Sequence, residues 1–170
     1  MSLNRTIRLL PLMLLGASAF VTASPASAKT FLEELHGSWR GLGTIHHKGS
    51  NPHDDPIACR IKAKFRANSD TLSLSGRCGS VSLTSSFSST LTEDANGYVS
   101  GTPILQTGSM AKIGLEGNAE PNRLRLKGTD GTNEVFISFF LTGDGKFQTI
   151  SGRNKGPKEV NEIVINWKKQ

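Results

Sequence analysis

The chain has few aromatic residues, and its histidines are confined to one region. Aromatic side chains make up 6% of the 170 residues, with a single tyrosine, and all four histidines lie between His36 and His53. Single-stranded nucleic acids are bound by aromatic side chains interleaved with basic ones. Because the basic segments here carry almost no interleaved aromatics, we expect no nucleic-acid partner.

Motifs that indicate catalysis are also missing. The sequence has no Gly-x-Ser-x-Gly nucleophile elbow and no glycine-rich loop between a strand and a helix. Carboxylates occur as adjacent pairs such as Glu33/Glu34, and nothing identifies two that face each other across a cleft. The sequence therefore predicts a protein that is not an enzyme and that carries no cofactor.

Long hydrophobic runs are absent after residue 21. The run Leu9–Val21 follows Arg5 and Arg8 and precedes Ala26-Ser27-Ala28, which is the pattern of a secretory signal peptide over residues 1–28, cleaved after Ala28. A membrane anchor would need about 20 apolar residues. We therefore expect residues 29–170 to form one domain in the periplasm or outside the cell, without a transmembrane segment.

The two cysteines, Cys59 and Cys78, are the only ones in the chain and form no C-x-x-C motif. Apolar and basic residues alternate over Ile57–Ala67, which predicts a strand with one face on a core. If the chain turns so that Ala67 faces Asp70, the two cysteines lie opposite each other. In a secreted chain this register predicts a disulfide, which would contribute about 3 kcal/mol.

Similar alternating segments recur to the end of the chain, separated by turn residues such as Glu93–Gly97 and Gly143–Gly145. One helical turn, Thr30–Leu35, begins with a capping box formed by Thr30 and Glu33. No helix is predicted between strands. The pattern predicts an all-β fold, an antiparallel up-and-down β-barrel of about 8–10 strands with a short N-terminal helical turn.

Three polar segments are predicted as loops or turns: His46–Pro56, Gly117–Asn122 and Ser151–Lys158. The first contains a cluster with the composition of a metal site, formed by His46, His47, His53, Asp54 and Asp55. His46 and His47 are adjacent at a strand end and point to opposite sides. We therefore predict a solvated loop and no metal site, and the sequence leaves open whether these histidines bind metal.

Gly37-Ser38-Trp39, which follows the helical turn and opens the first strand, resembles the G-x-W signature of lipocalin-like (calycin) barrels. The segment Gly37–Gly43 further resembles the first strand of the nitrobindin-type subgroup. The resemblance implies one lipocalin-like barrel over 29–170, with a short helix closing its floor and a small apolar ligand in its mouth.

Two departures from the family pattern bear on function. Nitrobindin-type proteins bind haem through a histidine late in the chain, and this sequence has no histidine there, so we expect no haem. Lipocalins place an arginine of the last strand against the signature tryptophan, whereas here the last cations are Lys168 and Lys169.

A second resemblance is to secreted inhibitors of bacterial metalloproteases. Cys59-Arg60-Ile61 and the spacing from Cys59 to Cys78 are similar to those of these small periplasmic barrels, in which one disulfide joins neighbouring strands. The inhibitors act through a free N-terminal segment, which would correspond to Lys29–Leu35.

Large apolar residues predicted to point into the barrel are the candidate ligand-binding residues: Trp39, Phe65, Phe87, Phe139, Ile165 and Trp167. Small inward residues such as Ala63 and Gly76 leave volume between them, which favours a cavity. The sequence thus predicts a monomeric, non-enzymatic barrel that binds a small hydrophobic or amphipathic, lipid-like ligand.

The alternative is a protein-interaction module of the bacterial envelope, such as a periplasmic protease inhibitor or an envelope-stability factor. For this function the outer face of the strand around Phe136 and Phe140 is the candidate contact surface.

Overall fold

The computed structural model of the chain describes residues 29–81, 84–105, 113–130, 133–154 and 160–170. The predicted signal peptide lies outside these ranges. The described backbone forms the helix α1 (Phe31–Glu34) and ten strands. The strands are β1 (Gly37–His47), β2 (His53–Arg66), β3 (Thr71–Ser80), β4 (Thr84–Glu93), β5 (Tyr98–Leu105), β6 (Leu115–Glu120), β7 (Arg123–Asp130), β8 (Asn133–Gly143), β9 (Lys146–Asn154) and β10 (Val160–Lys169).

The ten strands form a closed antiparallel barrel. Each strand pairs with its neighbour in sequence, and β10 pairs with β1 to complete the ring. Every described strand thus has a pairing neighbour on both sides, as closure of a barrel requires. The predicted up-and-down barrel is therefore confirmed, with ten strands. Within the described chain, no helix is long and apolar enough to cross a bilayer.

The β2–β3 hairpin has the predicted register. Cys59 lies opposite Cys78, and the two form a disulfide. Along β2, buried and exposed residues alternate as expected, so that Ile61 and Ala63 are buried while Lys62 and Lys64 are exposed. Alternation fixes which face is buried, because a shift by one residue would turn the basic side chains into the core, and the turn after Arg66 sets which residues pair.

The predicted loops are shorter in the structure. Strand β1 continues to His47 and β2 begins at His53, β6 runs through Gly117 to Glu120, and β9 runs to Asn154. The predictions of loops over these residues were wrong because polar side chains do not prevent pairing. At the rim of a barrel the backbone gains its cross-strand hydrogen bonds, and the side chains remain solvated.

Helix α1 covers one end of the barrel, which we call the helix end. Thr30 caps the helix by accepting a hydrogen bond from the Glu33 backbone N–H, as the capping box predicts. Phe31, Leu32 and Leu35 are almost completely buried. A helix of four residues is not stable by itself, so its position depends on this apolar contact with the barrel.

Hydrogen bonds attach α1 to the strands around it. The indole N–H of Trp39 donates to the Leu35 carbonyl at 2.8 Å, and the Leu32 backbone N–H donates to the Glu93 carboxylate at 3.4 Å. Burial raises the pKa of the Glu93 carboxyl above its usual value, and the hydrogen bond from Leu32 opposes this shift. The helix end is therefore closed by packed apolar side chains, and the Glu93 carboxylate is hydrogen-bonded to α1 there.

Candidate ligand site in the barrel interior

The half of the barrel next to α1 is filled by side chains. Phe147 lies between two tryptophans, with ring centroids 4.7 Å from Trp39 and 5.5 Å from Trp167. The indole N–H of Trp167 donates to the buried Thr149 hydroxyl at 3.0 Å. The inward residues Leu72, Leu91, Val99, Leu124 and Leu126 are also buried. We call these inward side chains the helix half.

The opposite end of the barrel, where β1 ends and β2 begins, is different. Several apolar side chains on the inner wall there are only partly buried: Ile45, Cys78, Phe87, Val135, Ile137 and Ile163. Ser85 and Ser151 lie on the same inner wall and are partly exposed. We call the part of the barrel that these residues line the far half. Its inner wall is apolar and reaches solvent, although Ile57 and Leu115 are buried there.

The six predicted ligand-binding residues lie on the inner wall, but most of them belong to the packed region. Trp39, Phe139, Ile165 and Trp167 are 2–7% exposed. Phe65 and Phe87 are partly exposed, Phe65 near the helix end and Phe87 in the far half. Contact of these six with a ligand stays a prediction.

The predicted set of ligand-binding residues contains mainly aromatic side chains, and it therefore omits most of the partly exposed apolar residues of the far half. Val135 and Ile137 alternate with Phe139, and Ile163 alternates with Ile165, so the same period-2 pattern contains them. The predicted set also omits Arg153, whose register opposite Val135 places it on the inner-wall side of β9. That residue fell in a segment predicted as a loop.

A separate groove of about 980 Å³ runs along the outer wall near β5, β6 and β7. Strands β5 and β6 pair over only four residue positions, Tyr98–Gly101 with Leu115–Asn118. The groove is lined mainly by outward polar residues, including Glu116, Lys127 and Glu134. We therefore assign it to the surface rather than to the barrel interior.

A lysine of the last strand covers the signature tryptophan. The Lys169 ammonium lies 5.4 Å from the centroid of the Trp39 ring. Gly37, two residues before Trp39, has a positive φ, and a Cβ at that position would lie 2.6 Å from Lys169 Cε. The last strand thus provides a lysine in a cation–π contact with Trp39, where the lipocalin resemblance implies an arginine.

Comparisons with known proteins support the fold. No protein-family model matches the chain, and no curated protein matches it either. Among solved structures, the chain is similar to the S-type phycobiliprotein lyase CPES from Guillardia theta, with a TM-score of 0.59 and 12% sequence identity. The match covers 82% of this chain and 90% of the lyase chain. The barrel is consistent with a calycin-like fold.

At this identity the comparison shows the fold alone. It does not confirm the nitrobindin-type subgroup or the likeness to protease inhibitors. The similar structure is named as a lyase, so it gives no support to the expectation that this chain is not an enzyme. That expectation stays a prediction.

Proposed function

We propose that the chain is a periplasmic or secreted barrel that binds a small hydrophobic or amphipathic, lipid-like ligand in its far half. The observation that carries this proposal is the difference between the two halves of the inner wall. The helix half is filled and closed by α1, whereas apolar side chains of the far half remain in contact with solvent. A ligand that covers them gains about 25 cal/mol per Å² of apolar surface buried.

The chemistry of the far half supports a ligand with an alkyl part. Ile45, Val135, Ile137 and Ile163 present branched aliphatic side chains, which pack against flexible hydrocarbon without ring-specific geometry.

The proposed compartment is supported by the N-terminal pattern of residues 1–28 and by the disulfide between Cys59 and Cys78. Disulfides persist in oxidising compartments such as the periplasm. We further propose that the protein acts as a monomer and without catalysis.

We also propose that the barrel belongs to the calycin type, with a nitrobindin-like first strand. The support is local: Trp39 donates to the carbonyl of Leu35, directly after α1, and is covered by Lys169 from the last strand. These are the contacts that the G-x-W resemblance implies, with lysine in the place of arginine.

The test is ligand capture, followed by titration with a fluorescent fatty acid. Native mass spectrometry of protein purified from the periplasm should show a small molecule that is lost on denaturation. Ile163→Asp should abolish fatty-acid binding because it places a carboxylate on the inner wall. Val164→Asp, at the next position and on the outer wall, is the matched control and should bind normally. Equal binding by both variants would contradict the proposal.

One observation favours a second function, a protein-interaction module of the envelope. On the outer wall Ile150 lies directly opposite Val164, and Phe136 and Phe140 flank Ser138, the other partner of Ile150. These side chains form an apolar strip across β8, β9 and β10. If this strip is the functional surface, Val164→Asp should abolish capture of an envelope protein by cross-linking, and Ile163→Asp should retain it.

A further inference from the structure

The tip of the β1–β2 hairpin brings together two imidazoles and a carboxylate. His47 and His53 are directly paired across the strands, and their rings stack with centroids 4.3 Å apart. Asp55 lies two residues after His53, so it points to the same side of β2. Its Oδ2 is 3.2 Å from His47 Nε2 and 3.9 Å from His53 Nε2. One ligand atom from each residue lies within 4.8 Å of the others.

The hydrogen bond on the other side of His53 fixes which nitrogen is available. His53 Nδ1 lies 2.9 Å from the Asn51 carbonyl oxygen. A carbonyl only accepts, so Nδ1 carries the proton, and the Nε2 of the neutral ring has a free lone pair. His53 Nε2, which carries that lone pair, lies 3.9 Å from Asp55 Oδ2. The nitrogen and the carboxylate oxygen are both acceptors, so neither can donate a hydrogen bond to the other. A cation between them would satisfy both.

A hydrogen bond from the second ring nitrogen to a backbone carbonyl is also the usual support of a metal-bound histidine. It orients the ring and selects the tautomer that binds. The structure therefore contains the carbonyl partner of His53 as well as three potential ligands.

From this geometry we propose that His47 Nε2, His53 Nε2 and Asp55 Oδ2 form a binding site for a divalent transition metal of the zinc class, in which the metal displaces to solvent the proton that His47 Nε2 donates to Asp55. Imidazole and carboxylate ligands suit Zn²⁺, and three protein ligands leave a fourth position for water. Tetrahedral coordination requires ligand atoms about 3.3 Å apart, so the ligands must move closer by rotations of side chains that lie at the rim and are 25–50% exposed.

The sequence predicts a solvated loop over these residues, whereas in the structure both strands of the hairpin extend into this segment. With β1 running to His47 and β2 beginning at His53, the alternation places His47, His53 and Asp55 on one side of the hairpin. Binding of a metal here would join the ends of β1 and β2 at the rim of the far half.

The other side of the same hairpin supplies a matched control. His46 and Asp54 are also paired across the strands, with His46 Nδ1 2.8 Å from Asp54 Oδ1. Within the described residues, no third ligand joins them in a metal-sized group. The His46/Asp54 and His47/Asp55 pairs thus share residue types and hairpin, and they differ in the presence of a third ligand.

The experiment is titration of the untagged protein with Zn²⁺ by calorimetry, together with Co²⁺ absorption as a reporter of coordination. We expect one equivalent to bind to the wild type. His53→Ala and Asp55→Asn should each weaken binding by at least about tenfold, since even the loss of a partner behind a ligand has that effect. His46→Ala and Asp54→Asn should leave binding unchanged.

Two results would overturn the proposal. One is the absence of saturable binding of either metal by the wild-type protein. The other is an equal loss in the His46→Ala and His53→Ala variants, which would indicate non-specific binding to exposed histidines. Because these substitutions lie at the exposed rim, circular dichroism should show a folded protein in every case.

Discussion

The helix half and the far half of the barrel are built from the same ten strands with the same alternation, yet they differ in packing. In the helix half, two tryptophans and a phenylalanine occupy the interior, and α1 covers them. In the far half most of the inward residues are aliphatic or small, with Phe87 as the aromatic exception, and many are partly exposed. Strand pairing therefore forms the wall, while side-chain size decides how completely the inner face is buried.

Glycine in β1 shows how closely the helix half is packed. A Cβ at Gly41 would lie 2.5 Å from Ile165 Cγ2 and 2.6 Å from Trp167 Cε3. The large side chains of β10 thus occupy the volume that a side chain at Gly41 would need. The backbone of β1 approaches the core directly at this position.

The largest expected difference between the halves comes from removing one phenylalanine from each. Phe147→Ala should lower the free energy of unfolding by about 3–5 kcal/mol, because its ring is 4% exposed and contacts two tryptophans. Phe87→Ala should cost about 1–2 kcal/mol, since a partly exposed ring loses less buried area. Urea denaturation measures both. Equal losses would show that the far half is as tightly packed as the helix half.

A smaller loss of stability is expected when the cation–π contact between Lys169 and Trp39 at the helix end is removed. Lys169→Ala should lower the free energy of unfolding by about 0.5–1 kcal/mol through loss of its contact with the Trp39 ring. Lys169→Arg should restore it, since guanidinium also stacks on indole. Lys168→Ala, at the next and outward position, is the control. If Lys168→Ala has the same effect, general surface charge and not the cation–π contact is responsible.

The smallest effect concerns the carboxylate below α1. Burial raises the pKa of Glu93 above 4.5, so the folded protein holds this proton more tightly than the unfolded chain. The free energy of unfolding should therefore fall as the pH rises from about 4.5 through the folded-state pKa, and should not recover above it. Glu93→Gln removes this titration and keeps an acceptor for the Leu32 N–H.

Thermal melts between about pH 4 and pH 7 measure this effect. The melting temperature of Glu93→Gln relative to the wild type should increase with pH across that window. Glu34→Gln, which removes an exposed carboxyl of α1, controls for the change in charge. If the difference in melting temperature between Glu93→Gln and the wild type is the same at every pH, titration of Glu93 is not its cause.

The parts of the fold that depend on local pattern could be predicted. Alternation over β2 and β3 placed Cys59 and Cys78 on the inner face, because the pleat points neighbouring side chains to opposite faces, and the predicted turn between the strands placed them opposite each other. The capping box at Thr30 depends likewise on residues four positions apart or fewer. The start of β2 at His53 and the ends of β6 at Glu120 and β9 at Asn154 were not predicted, since backbone pairing with the neighbouring strand and not local composition stabilises them.

By itself, the sequence determined that the chain is an all-β barrel with a disulfide hairpin, because periodicity and turn residues act over a few positions. The tertiary structure decided which inward residues are core and which remain open, because that depends on strand tilt, on the position of α1 and on the side chains across the interior. It also brought His47, His53 and Asp55 to one side of the hairpin. Their proximity results from the cross-strand register, which extends beyond the segment that local composition favours.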